Sequence, residues 1–186
     1  KEKKIFRIFK TSKFLNEAFK TDLEQIINLY NEKGFRDAQI FSHNIDEISS
    51  NLININITIE EGIKYHYRNI DWLGNTKYSS EHLNLLLGIK SGDVYDEKMM
   101  NERLQMSMSG TDITSLYMDD GYLFFNIDPV ETLVEEDSID YEIRIYEGKQ
   151  ATINKVSVIG NTKTNDHVIM REIRTKPGEL FSRSDI

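Results

Sequence analysis

Gly-Asn-Thr-Lys stands at 74–77 and again at 160–163, and the two copies belong to a longer similarity in one register. Laying Gly62 of "IEEG" on Gly148 of "IYEG", 86 positions on, also lays "GIKSGDVY" (88–95) on "RTKPGELF" (174–181). Lys90 then meets Lys176, Gly92 meets Gly178, and Tyr95 meets Phe181. Upstream the spacing is 87, with "LYNEKGF" (29–35) falling on "LYMDDGY" (116–122). Ordered matches over this length make the chain an array, so each copy must be a small supersecondary unit stacked on its neighbours.

The unit can be read from its periodicities. "LININITI" (52–59) alternates Ile53, Ile55, Ile57 and Ile59 with Asn54, Asn56 and Thr58. "SIDYEIRIY" (138–146) alternates Ile139, Tyr141, Ile143 and Ile145 with Asp140, Glu142 and Arg144. Both are half-buried strands. After each Glu-Gly the chain enters a further strand, with Ile70 and Trp72 on one face in one copy and Val156 and Val158 in the other. The Gly-Asn that follows suits a left-handed turn. Ser79 and Asn165 then sit as N-caps of a helix, whose apolar residues are Leu83, Leu86 and Leu87 in one copy and Ile169 and Ile173 in the other.

A second helix precedes each Gly-aromatic pair. Thr21 with Glu24 has the capping-box pattern, and Leu23, Ile26, Ile27 and Tyr30 form a stripe that Gly34 ends as a C′ residue. In the later copy Met99, Met100, Leu104, Met106 and Met108 form a looser core stripe, Gly110 breaks it, and Asp112 restarts a short helix through Ile113, Leu116 and Tyr117. "YLFFNID" (122–128) follows as a strand with Leu123, Phe125 and Ile127 on one face, closed by Pro129. The unit is therefore strand, helix, helix, strand, strand. Residues 63–148 hold a whole copy, 1–62 the C-terminal part of a preceding one, and 149–186 the N-terminal part of a following one.

Composition narrows the chemistry. There is no cysteine among the 186 residues, which excludes disulfides, thiolate nucleophiles and zinc–thiolate sites. The formal charge of −8 argues against a nucleic-acid grip. No apolar run reaches the ~20 residues of a membrane helix, and no signal-peptide pattern is present. "KEKKIFRIFK" (1–10) is locally basic and reads as a solvated face or as a lipid- or partner-binding tail. His43, His66, His82 and His167 are scattered without ligand spacing, "GNTK" lacks the spacing of a phosphate loop, and the carboxylates at 119–120 and 135–137 fall at a helix end and a turn. Neither catalysis, nor a metal, nor a cofactor is expected.

A tandem βααββ unit with "GNTK", "KSGDVY/KPGELF", "LYMDDGYLFF" and "IYEG" at these places resembles the POTRA domain over the whole chain. The stretch from "SLYMDDGYLFF" to "FSRSDI" resembles the outer-membrane protein assembly factors, in their Bacteroidetes form. The resemblance implies an α+β fold of three-stranded mixed sheets, each with two helices on one face. It implies that 1–62 ends a third unit, 63–148 is a fourth, and 149–186 begins a fifth, ahead of a barrel outside this chain. It also implies a place on the periplasmic side of the bacterial outer membrane. The partners implied are unfolded outer-membrane proteins, accessory lipoproteins and periplasmic chaperones, with the membrane itself met only through the barrel.

The second strand of each unit would be the free sheet edge that takes an incoming strand: Tyr122, Leu123, Phe124, Phe125, Asn126, Ile127 and Asp128, and in the earlier copy Asp37, Ala38, Gln39, Ile40 and Phe41. Such last units often carry an acid just before the equivalent of Gly178. Here Pro177 stands there, while Arg171 and Arg174 on the preceding helix are candidates for a lipoprotein dock. Two other readings compete with strand capture. One is a spacer of a related secretion pore. The other is a scaffold that docks partners through side chains such as Phe124, with Trp72 placed in the core. The complementary ends, 1–62 and 149–186, also suit a domain-swapped homo-oligomer.

Overall fold

The computed structural model describes residues 14–105 and 107–186. The basic stretch 1–10 and Met106 lie outside them. The elements are α1 (Asn16–Asn31), β1 (Gln39–Ser49), β2 (Leu52–Glu60), β3 (His66–Leu73), α2 (Ser80–Leu87), α3 (Glu97–Leu104), α4 (Ile113–Asp119), β4 (Asn126–Glu135), β5 (Ser138–Tyr146) and α5 (Asp166–Glu172), with a 3-10 turn at Arg183–Asp185.

The middle copy is an α+β unit. Its sheet has the order β3-β5-β4, with β5 central, parallel to β3 and antiparallel to β4. Parallel neighbours need a crossover, and α2, α3 and α4 supply it, all on one face. The alternation in β5 holds: Ile139, Tyr141, Ile143 and Ile145 are buried against the helices. With Tyr67, Leu83, Leu87, Leu104, Ile113 and Tyr117 they make the core. The opposite face is charged. Arg68 of β3 grips Asp140 of β5 through two 2.8 Å bonds and reaches Glu135 of β4 with a third, and that guanidinium holds the Asp140 carboxyl below its usual range.

Several helix signals read from the sequence hold. Ser79 Oγ accepts the His82 N–H at the start of α2. Asp112, buried, accepts the Ser115 N–H and hydroxyl at the start of α4. Gly34 and Gly121 close their helices with matched bonds: the glycine N–H donates to Asn31 or Met118, and the next N–H to Tyr30 or Tyr117. That is the Schellman pattern, and φ is +96° at Gly34 and +88° at Gly121.

Several expectations need correction. The strand placed at 122–128 starts only at Asn126 and runs through Pro129 to Glu135. Closing α4 uses the Tyr122 N–H for Tyr117, the Leu123 N–H for Gly121 and the Phe125 N–H for Tyr122, so these residues form turns and no ladder can begin before 126. The earlier copy behaves alike: Asp37 and Ala38 precede β1, which starts at Gln39. Thr21 caps nothing, because α1 already begins at Asn16 and its hydroxyl bonds back to the Glu17 carbonyl. Met108 is fully exposed beyond the end of α3 and does not join the core. Ile53 and Ile55 of β2 are partly exposed, since the described residues bring only the N-terminal end of α1 near them.

Residues 149–158 form no strand beyond one bridge between Thr152 and Leu180, because no described strand lies beside them as β5 lies beside β3. The region 151–186 packs on α4, with Ser182 and Ser184 bonded to Asp119.

Candidate functional site

β4 is paired with β5 alone, so its other side is a free edge among the described residues. The proline fixes which groups face outward. Pro129 stands opposite Ile143 and has no N–H to give, so it can sit there only where its backbone turns away from β5. Alternation then turns the backbone groups of Ile127 and Glu131 outward as well. Gln105 agrees with this: from the C-cap of α3 its side-chain amide donates to the Ile127 carbonyl at 3.1 Å. Along the edge, then, the Ile127 carbonyl is taken, Pro129 offers only a carbonyl, and Glu131 offers both groups.

The Glu131 side chain is held in place. It pairs with Arg36 of the preceding unit at 2.6 Å and accepts the Tyr141 hydroxyl at 2.9 Å. Burial first, and the neighbouring Tyr95 and Glu131 next, push the Tyr141 hydroxyl well above its usual range, so it stays a donor. β1 is the corresponding edge of the earlier copy, paired among the described residues only with β2, and carries Phe41 at 75% exposure.

Of the residues predicted for the edge, Asn126, Ile127 and Asp128 lie in β4. Phe125 and Ile127 are core, Tyr122 is half-buried, and Leu123 and Phe124 are exposed in the turn. Phe124, 68% exposed, stands by Gly148 and the equally exposed Tyr146. Gln39, Ile40 and Phe41 belong to β1. Arg171 lies on α5, exposed and paired with Glu172, whereas Arg174 falls beyond the end of the helix at Glu172. Trp72 is half-buried and donates its indole N–H to Asn84.

Behind each edge is a joint that sequence reasoning missed, although both of its halves are repeat motifs. The Tyr65 N–H donates to the Gly34 carbonyl at 2.8 Å, and the Ala151 N–H to the Gly121 carbonyl at 2.8 Å. Tyr95 N–H to Tyr65 carbonyl repeats as Phe181 to Ala151, and Gly92 N–H to Tyr67 carbonyl repeats as Gly178 to Ile153. Thus the Lys-x-Gly loop of one unit clamps the linker that reaches the Gly-aromatic turn of the unit before. The glycines are pressed there: a β-carbon on Gly34 would lie 2.7 Å from Val94, and one on Gly121 3.2 Å from Leu180. The signal was the common spacing of the two motifs. Nothing in the sequence singles out Gln105.

"GNTK" and Glu-Gly also meet. Thr76 Oγ1 and the Lys77 N–H donate to Glu147, and the Tyr117 hydroxyl does so at 3.1 Å, as Tyr30 does to Glu61 at 2.9 Å.

The sequence model of a family described as "POTRA: Surface antigen variable number repeat" matches residues 3–62, 65–148 and 151–186. The chain belongs to the POTRA family. Its POTRA sequence is 26% identical over 95% of its length to the outer membrane protein assembly factor BamA of Neisseria meningitidis serogroup B. It is 29% identical over 80% of its length to that of Nitratidesulfovibrio vulgaris. It spans about a fifth of these relatives, 22% and 18%. The fold is that of the Haemophilus influenzae BamA POTRA3-5 crystal structure: TM-score 0.66 at 21% identity, covering 94% of this chain and 68% of that one. BamA from Haemophilus ducreyi lacking POTRA domains 1-3 matches at TM-score 0.53, 16% identity, 78% of this chain and 25% of that one.

Proposed function

We propose that this chain is part of the periplasmic arm of an outer-membrane β-barrel assembly machine, and that its free sheet edges take up strands of unfolded outer-membrane proteins by β-augmentation. The observation that carries the reading is the outward backbone of β4 from Pro129 onward, left unpaired at the rim of a three-stranded sheet. Strand addition reads backbone rather than side chains, so it fits clients that share β-strands and not sequences. The similarity to assembly factors supplies the setting: 1–62, 63–148 and 149–186 serve as the third, fourth and fifth units of the arm, and accessory lipoproteins and periplasmic chaperones are its partners.

The test is an NMR titration of the isotope-labelled chain with a strand peptide from the C-terminus of an outer-membrane protein. Amide shifts concentrated in 130–135 or along β1 are expected. A flat titration would leave the units as spacers.

A second reading rests on the exposed pair Phe124 and Tyr146. At the matching places of the preceding joint stand Asp37 and Glu60, so the two joints share a geometry but not a surface. The aromatic joint docks a partner through side chains, with Arg171 and Arg174 of the following unit as candidate charged contacts for a lipoprotein. Replacing Phe124 by Ser separates the readings, since it removes a side-chain contact and leaves the β4 backbone intact.

A further inference from the structure

The β4 edge is not open along its whole length, and the one bond that closes its first half comes from a side chain that can leave. Gln105 sits at the C-cap of α3, is exposed as a residue, and holds the Ile127 carbonyl through a single 3.1 Å bond from its amide. That carbonyl is the first outward acceptor of the strand. The next outward residue, Pro129, has no N–H. An incoming strand therefore finds no complete donor–acceptor pair until Glu131 unless Gln105 lets go. Among the described residues no side chain bonds a backbone carbonyl of β1, so the earlier edge carries no such block.

We propose that Gln105 is a latch on the β4 edge: an intramolecular competitor that occupies the Ile127 carbonyl, sets the register of a bound strand to begin at Pro129, and lowers its affinity. The inference rests on the reading of β4 as a strand-binding edge. The latch binds as an incoming peptide amide would, N–H to carbonyl, so its release exchanges one such bond for another and the full ladder becomes available. A client strand long enough to reach Ile127 displaces it, while a shorter one does not, which makes the edge discriminate by strand length.

The test compares the full chain with Gln105→Ala and Gln105→Glu, the second keeping the side-chain shape while losing the N–H donor. The probe is an extended outer-membrane strand peptide, followed through backbone amides. In the free protein, a through-bond coupling between the Gln105 side-chain nitrogen and the Ile127 carbonyl carbon is expected. Both variants should bind about fivefold tighter, the worth of one neutral hydrogen bond. With a short peptide, the Ile127 amide should become protected from exchange in the variant complexes and not in the wild-type complex, whereas a peptide long enough to displace Gln105 should protect it in all three. Binding by all three proteins with the same affinity and footprint overturns the latch alone. No binding by any of them overturns strand capture at β4, and the latch with it.

Discussion

The Gly121 carbonyl accepts the Ala151 N–H at 2.8 Å, and the Gly34 carbonyl accepts the Tyr65 N–H at the same distance. One bond, made twice, joins each unit to the next at the point where a helix ends and a linker begins. The clamping loops, Lys90–Tyr95 and Lys176–Phe181, are likewise repeated bond for bond. The joint is therefore a built part of the array.

Replacing Gly34 by Ala should loosen the first joint more than Gly121→Ala loosens the second. Both substitutions force a left-handed φ on a residue with a β-carbon, about 1–2 kcal/mol. At Gly34 the new carbon also meets Val94 at 2.7 Å, Lys64 at 3.0 Å and the Tyr65 carbonyl at 3.3 Å, against 3.2 Å to Leu180 at Gly121. Hydrogen exchange of the two donor amides, Tyr65 and Ala151, measures this directly. Equal acceleration in the two variants would refute the packing argument.

Gly74 and Gly160 hold the same place in the two "GNTK" copies and both have φ of +90°. A β-carbon at Gly74 would run into the Ile145 carbonyl of the central strand, while at Gly160 nothing lies within 4 Å. Gly160→Ala therefore bears only the conformational cost, about 1–2 kcal/mol. Gly74→Ala must also displace β5 and should cost ~3 kcal/mol or more. Thermal unfolding monitored on core residues of the middle unit should show a clear drop in Tm for Gly74→Ala and little for Gly160→Ala.

Glu147 ties "GNTK" to α4. Burial works against its charge, yet bonds from the Thr76 hydroxyl, the Lys77 N–H and the Tyr117 hydroxyl together hold its carboxyl below the usual range. A depressed folded pKa stabilises the protein above the ordinary carboxyl value of 4.5, and that contribution is lost as pH falls through the folded pKa. Glu147→Gln should thus be less stable than the parent at neutral pH, with the gap closing as the solution is acidified below 4.5. Denaturant midpoints at a series of pH values would show it. A gap that stays constant with pH would rule out the charge as its source.

The strand alternation of β5, the stripe of α1, the caps at Ser79 and Asp112 and the turn glycines were legible because each is a local signal within a few residues. The start of β4 was not. Tyr122-Leu123-Phe124-Phe125 has the aromatic and apolar composition of a strand, but the bonds that close α4 and the turn after it consume N–H groups before a ladder can form. Register had the same fate: Pro129 reads as a stop in sequence, whereas at a sheet edge its missing N–H simply faces outward. Gln105 was invisible, because its partner lies 22 residues away and only the packing of α3 beside β4 brings them together.

Arg36 and Glu131, the pair that crosses from the preceding unit onto the free edge, are each about one-third exposed and 2.6 Å apart. Arg36 also lies over the Tyr65 ring at 5.8 Å, so its guanidinium rests on the linker that the joint clamps. A partly exposed pair of this kind should contribute up to about 1 kcal/mol. A double-mutant cycle of Arg36→Ala and Glu131→Ala isolates that energy from the effect of truncation, and it should shrink in 1 M salt as screening sets in. Removing Arg36 should also shift the amides of β4 around Glu131, since the strand loses its anchor to the unit before. Additive single mutants, with β4 amides unmoved in Arg36→Ala, would separate the edge from the joint.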